Sequence, residues 1–63
     1  MQKKAGIIGL GLIGGSIGLA LCEEGWDVIG RDINPTRVND AKTMGAITGE
    51  GSMKDCEVVF NNL

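Results

Sequence analysis

Three glycines and one aspartate are the residues of this chain whose types and spacing could do chemistry. In "GLGLIG" the glycines fall at Gly9, Gly11 and Gly14, and Asp32 stands 23 residues after Gly9. The G-x-G-x-x-G spacing suits a loop that brings backbone N–H groups to a diphosphate. Gly9 permits the tight turn out of a strand, Gly11 has no side chain to hold a phosphate away, and Gly14 lets the following helix lie close to the sheet. Peptide N–H groups at Leu12 and Ile13, at the positive end of a helix dipole, then point at the phosphates. An acid about 20 residues further on, closing the next strand, accepts hydrogen bonds from ribose hydroxyls, and Asp32 occupies that place. The chemistry is recognition of a dinucleotide, NAD. The competing reading makes the glycines a close helix-to-strand contact only and Asp32 a solvated turn acid. The two differ in what must flank the loop: the dinucleotide site needs a strand before it and a helix after it.

The flanking elements follow from patterning. From Ala5 to Cys22 the chain carries 18 residues without a charge, preceded by Lys3 and Lys4, which imitates a secretory signal or a membrane span. Gly11/Gly15 and Gly14/Gly18 even form two G-x-x-x-G pairs. Six of the 18 residues are glycine, each costing about 1 kcal/mol of helix propensity relative to Ala, and Leu21 is too large to precede a lipoprotein-type cysteine. Division into a strand over Lys4–Ile8, a glycine turn and a helix over roughly Ile13–Glu24 fits better, with Ile17, Ala20 and Leu21 on the helix's inner face and Gly25 as its stop. "WDVIGRD" (Trp26–Asp32) reads as a strand. "NPTRVNDAKTMG" (Asn34–Gly45) reads as a helix with Asn34 as N-cap, Pro35 at N1, Val38, Ala41 and Met44 on one face, and Gly45 as its stop. "AITGEGS" reads as a loop, Ser52 and Asp55 as the cap of one short turn, and "CEVVF" (Cys56–Phe60) as a buried strand.

The sum is β-α-β-α-β, an α/β pattern with a parallel sheet. Ile7-Ile8, Val28-Ile29 and Val58-Val59-Phe60 are apolar at consecutive positions, so the strands present apolar side chains to both faces. Both crossover helices belong on one face, and nothing else in the chain is expected to cover the other. Residues 1–63 are therefore expected to be one incomplete dinucleotide-binding domain, the first half of a doubly wound (Rossmann) sheet whose second half is missing from the chain.

Composition excludes several function classes. Six basic and eight acidic residues and no His leave a net charge of -2, which offers no basic face to nucleic acid or anionic lipid. The expectation is no nucleic-acid partner and no membrane. Cys22 and Cys56 fit neither a C-x-x-C pair nor a zinc site and read as free thiols of a reducing cytoplasm. Arg31 and Arg37 could face an adenine or a 2′-phosphate, but read more simply as solvated charges. Ser16 has no His to activate it and is assigned to packing or helix-start chemistry. Trp26 is expected to cover the end of the first helix, and Glu23 and Glu24 point to different helix faces. No catalytic residue and no metal ligand is assigned.

"IIGLGLIGGSIGLAL", followed by "VIGRDINPTR" and "AKTMGAIT", resembles the N-terminal segment of the prephenate/arogenate dehydrogenase family over nearly the whole chain. The doubled glycine of "GLGLIGGS" is more specific to that family than a bare dinucleotide fingerprint. The resemblance implies NAD(P)-dependent oxidative decarboxylation of prephenate or arogenate, on the route to tyrosine, by a cytoplasmic homodimer that associates through a helical C-terminal domain outside this chain. It also implies cofactor-binding roles for Gly9, Gly11, Gly14 and Asp32, and a general-base His further along. Asn61 and Asn62 depart from the family, which carries a small apolar, Pro-containing loop at that point. Two other readings stand beside it: a non-catalytic nucleotide-sensing module of the kind that regulates transporters and channels, and another NAD(P)-dependent dehydrogenase. With Asp32 at the end of the second strand, NAD is expected over NADP.

Overall fold

The computed structural model describes residues 3–63. Five elements follow in the order β1 (Lys4–Ile8), α1 (Leu12–Glu23), β2 (Asp27–Arg31), α2 (Pro35–Met44) and β3 (Val58–Asn61). The uncharged run thus divides into a strand, a glycine turn and a helix of 12 residues. No helix among the described residues is long and apolar enough to cross a membrane. α2 has the expected ends: the Asn34 side chain accepts from Thr36 N–H (3.0 Å), Pro35 opens the helix and Gly45 closes it.

The sheet is parallel and three-stranded in the order β2-β1-β3. Residues Ala5, Val28 and Val58 lie side by side, as do Ile7, Gly30 and Phe60. Successive side chains alternate between faces, so these residues share the face on which Ile7 and Val28 are fully buried with Leu10, Val38, Ala41, Ala46 and Ile47. β1 is central because the chain, having placed β2 on one side, returns across β1 to place β3 on the other.

Several expectations need correction. The third strand is Val58–Asn61 rather than Cys56–Phe60, and it is not buried: Val58 is 37% and Val59 44% exposed. Cys56 is taken up in a turn instead, its N–H donating to the Met53 carbonyl (3.1 Å). "AITG" is more than a loop. Ala46 and Ile47 are buried, and Thr48 and Gly49 run along the free edge of β2, where Thr48 N–H reaches Val28 O (2.8 Å) and Gly30 N–H reaches Gly49 O (3.0 Å). A bridge between Ile29 and Gly49 completes this fragment of pairing. Nor is the second face wholly uncovered. Gly6 points to it, and a Cβ there would lie 2.7 Å from the Met53 sulfur and 3.3 Å from the Cys56 sulfur, so the segment returning to β3 lies over that face. Of the cap expected from Ser52 and Asp55, the Ser52 hydroxyl accepts from Lys54 N–H (3.1 Å).

α1 lies down on glycine. Gly14, Gly15 and Gly18 are its buried residues, Ile17 and Leu21 flank them half-buried, and Ala20 is exposed, contrary to expectation. Ile17 and Leu21 pack against the core as expected, but the periodicity of apolar side chains misses Gly14, Gly15 and Gly18, the most buried residues of the helix, because they have no side chain to count. A Cβ on Gly18 would fall within the van der Waals envelope of the Ala46 carbonyl oxygen, and one on Gly14 within that of the Gly9 carbonyl oxygen. Met44, expected on the inner face of α2, is 58% exposed at the mouth of the groove between the two helices. Trp26 is half-buried against the core with Lys3 Nζ 5.5 Å from its ring centroid.

The glycines of α1 are therefore not equivalent. Among the described residues, beyond its chain neighbours and its own helix backbone, Gly15 has nothing within 4 Å of a Cβ position, so Gly15→Ala is expected to raise stability by up to about 1 kcal/mol through helix propensity. Gly18→Ala must push α1 off the Ala46 carbonyl and is expected to lower stability by about 1–3 kcal/mol. Urea unfolding of the two variants beside the parent chain checks both signs.

Candidate functional site

β1 leaves the sheet at Ile8, and Gly9 turns the chain with φ 92°, a left-handed conformation that a side chain would strain. The turn is held from both neighbouring strands. Gly9 N–H donates to Arg31 O at the end of β2 (2.8 Å), and Gly9 O accepts from Asn62 Nδ2 beyond β3 (3.3 Å). Leu10 drops into the core, only 6% exposed, while its N–H donates to Asp32 Oδ2 (2.7 Å). Gly11 is the N-cap of α1 without a side-chain hydrogen bond, and the first turn holds no acid. The first N–H groups of a helix have no partner inside it, so those of Leu12, Ile13 and Gly14 are left for a ligand or solvent. Leu12 and Ile13 are 91% and 69% exposed.

Gly9, Gly11, Leu12, Ile13, Gly14 and Asp32, all six residues singled out by the sequence, line one cleft of about 410 Å³. Its walls are completed by Ile33, Arg37, Asn62 and Leu63. The cleft lies beyond the carboxyl ends of β1, β2 and β3, where the chain passes from one side of β1 to the other, and such switch points are where open parallel sheets bind ligands. A cleft of this size falls within the range of small-molecule sites, about 300–1,000 Å³. Uncapped helix N–H groups on its floor and a carboxylate on its wall fit a nucleotide diphosphate and its ribose. Among the described residues beyond its chain neighbours, one atom comes near a Cβ position on Gly11, Arg37 Nη1 at 3.4 Å, so a ligand can approach the backbone there.

Asp32 does more than the sequence assigned to it. Oδ1 accepts from Asn34 N–H (2.9 Å) and Oδ2 from Leu10 N–H (2.7 Å), so one carboxylate ties the glycine loop to the turn that starts α2. Each oxygen keeps lone-pair capacity for a further donor. The backbone bonds from Asn34 and then Leu10 hold its carboxyl below the usual aspartate range, against partial burial and with help from Arg37.

Arg37 is not simply solvated. It stands between the cleft and a second, largely apolar groove of about 350 Å³ between α1 and α2. Helix position, not local sequence, brings it over Gly11, which is why sequence reasoning set it aside. Arg31 contributes its carbonyl to the glycine turn while its side chain is exposed. Asn61 and Asn62, which depart from the family pattern, have places at the cleft: Asn62 lines it, and Asn61 Oδ1 accepts from Leu63 N–H (3.1 Å) at its wall. Their position directly after the strand expected over Cys56–Phe60 was the available signal. Ser16 bonds back to Leu12 O (2.9 Å). Burial, and then the Asp27 carboxylate, push the Cys22 thiol up, which keeps it protonated.

The family described as the NAD binding domain of 6-phosphogluconate dehydrogenase matches residues 4–61. Among curated proteins, Ktr system potassium uptake protein C of Bacillus subtilis (strain 168) is 41% identical over 63 residues, all of this chain and 28% of that protein. The chain thus spans less than a third of this relative's length. No solved structure matches it.

The lowered pKa of Asp32 makes stability depend on pH. Its stabilising bonds are complete above the ordinary aspartate range and are lost as pH falls through the lower folded value. Asp32→Asn keeps the shape but replaces one accepting oxygen with a donor that cannot meet Leu10 or Asn34 N–H. Its unfolding midpoint is expected below that of the parent at neutral pH, and the gap to close as the solution is acidified below the aspartate range. Thermal unfolding of both chains across that range measures it.

Proposed function

The chain belongs to the family of the NAD-binding domain of 6-phosphogluconate dehydrogenase, and on that footing we propose that it is the NAD-binding segment of a dehydrogenase of the prephenate/arogenate type. The observation that carries the reading is the convergence of the glycine loop, an uncapped helix start and Asp32 on one cleft. The glycine loop and α1 receive the diphosphate through backbone N–H groups, and Asp32 accepts the adenosine ribose hydroxyls from a carboxylate already oriented by two backbone bonds. Bound NAD supplies the hydride acceptor for oxidative decarboxylation. On this reading the substrate, prephenate or arogenate, and the general base that deprotonates it are met by parts of the enzyme beyond the cleft, in a cytoplasmic homodimer joined through a helical domain. The family-specific support is the doubled glycine of "GLGLIGGS".

A second reading is favoured by the 41% identity, across the whole chain, to a potassium uptake protein. The same cleft then senses a nucleotide and transmits its occupancy to a transport system, with no chemistry done. NADH formation from prephenate or arogenate by the intact protein separates the two: the first reading requires it and the second excludes it.

NAD is expected to be used better than NADP by about tenfold to a hundredfold in kcat/KM, because a 2′-phosphate would meet the Asp32 carboxylate and lose its hydrogen bonds. Arg37 beside Gly11 tempers that repulsion without reversing it. Asp32→Ser is expected to narrow or invert the ratio. If the ratio is unchanged in the variant, Asp32 is not the ribose acceptor.

A further inference from the structure

Asn62 has a place in the cleft that the dinucleotide fingerprint does not account for. Strand order sets it opposite Asp32: β2 brings Asp32 to one flank of the glycine loop and β3 brings Asn62 to the other, with β1 and Gly9 between them. Its backbone N–H continues the β3 ladder to Ile8 O (2.8 Å), and its side chain crosses to Gly9 O (3.3 Å). A carbonyl can be met only by the amide nitrogen, so this bond fixes which way the carboxamide faces. The nitrogen has a second N–H, and neither it nor Oδ1 has another protein partner among the described residues. A Cβ on Gly14 would lie 3.1 Å from Nδ2, which puts this donor beside the first turn of α1, whose N–H groups are uncapped.

We infer that Asn62 is a binding residue for the distal phosphate of a dinucleotide, its free Nδ2–H joining the helix N–H groups as a side-chain donor. If Asp32 holds the adenosine ribose, the proximal phosphate lies over the glycine loop and the distal one toward β3, where Asn62 stands. A carboxamide suits this place because it is a donor with no charge of its own and is already oriented by Gly9. The residue thereby separates dinucleotides and nucleoside diphosphates from monophosphates. The inference rests on the dinucleotide reading above.

The test is titration calorimetry of AMP, ADP and ADP-ribose with the full chain and with its Asn62→Ala and Asn62→Asp variants. Asn62→Ala is expected to weaken ADP and ADP-ribose by about tenfold while AMP changes by less than about twofold, because only the first two carry the distal phosphate. Asn62→Asp, of the same shape but with an anionic acceptor in place of the donor, is expected to weaken ADP further still. Equal losses for AMP and ADP in Asn62→Ala would mean a merely structural brace and overturn the inference. Unchanged ADP affinity in either variant would overturn it as well, leaving the dinucleotide reading in place. Failure of the unmodified chain to bind any of the three would overturn both.

Discussion

Between Ile8 and Leu12 the chain has three residues in which to leave a parallel sheet and begin a helix that lies back on it. Most of the structure answers to that constraint. The turn needs a left-handed residue at Gly9, and the helix must start so near the strand end that no side chain fits at Gly14. Once started, α1 must stay low enough to pass the Ala46 carbonyl at Gly18. The same glycines that cost helix propensity therefore set how closely helix and sheet pack. They also leave the helix start bare, since no Ser, Thr, Asp or Asn stands at the N-cap to occupy its N–H groups.

A bare helix start at the end of a sheet is a partial positive charge in a chain whose net charge is -2. Anion recognition here is local, built from oriented peptide dipoles rather than from a basic surface. Asp32 sits at its rim, where its two oxygens already accept from the Leu10 and Asn34 N–H groups. Arg37 balances that carboxylate across the cleft mouth and contributes to keeping it ionised. The site thus offers a carboxylate for hydroxyl groups on one flank and N–H donors for phosphate oxygens in the middle. That division matches the two chemistries of a nucleotide.

The sheet order completes the arrangement. Had β3 continued outward beyond β2, the flank of the glycine loop opposite Asp32 would be open. Returning across β1 instead, the chain closes that flank with Asn62 and Leu63 and lays Met53 and Cys56 over Gly6 on the way. The return leaves apolar residues such as Val58 and Val59 partly in water on a strand whose outer edge is unpaired among the described residues, a feature that invites further pairing.

Local order in this protein was legible from the sequence, because strand, turn and cap signals act over a few residues. Lys4–Ile8, the cap at Asn34 and the glycine turn at Gly9, Gly11 and Gly14 all followed from neighbours near in the chain, and so did the β-α-β-α-β order; Asp32 was reached through a fixed motif spacing. What was not legible depends on residues far apart in sequence. Burial of Gly18 rather than Ala20 is decided by the Ala46 carbonyl, the pairing of Gly49 by the free edge of β2, and the approach of Arg37 to Gly11 by how α2 lies against α1. The place of Asn62 depends on which side of β1 the third strand enters. A periodicity records how apolar a face is and cannot record what will lie against it. Composition and spacing therefore determined that this chain makes a glycine turn between strand and helix with an acid in reach. Tertiary packing alone decided which residues wall the cleft, because those contacts exist only once separate segments, 53 residues apart in the case of Gly9 and Asn62, have been brought to the same end of one sheet.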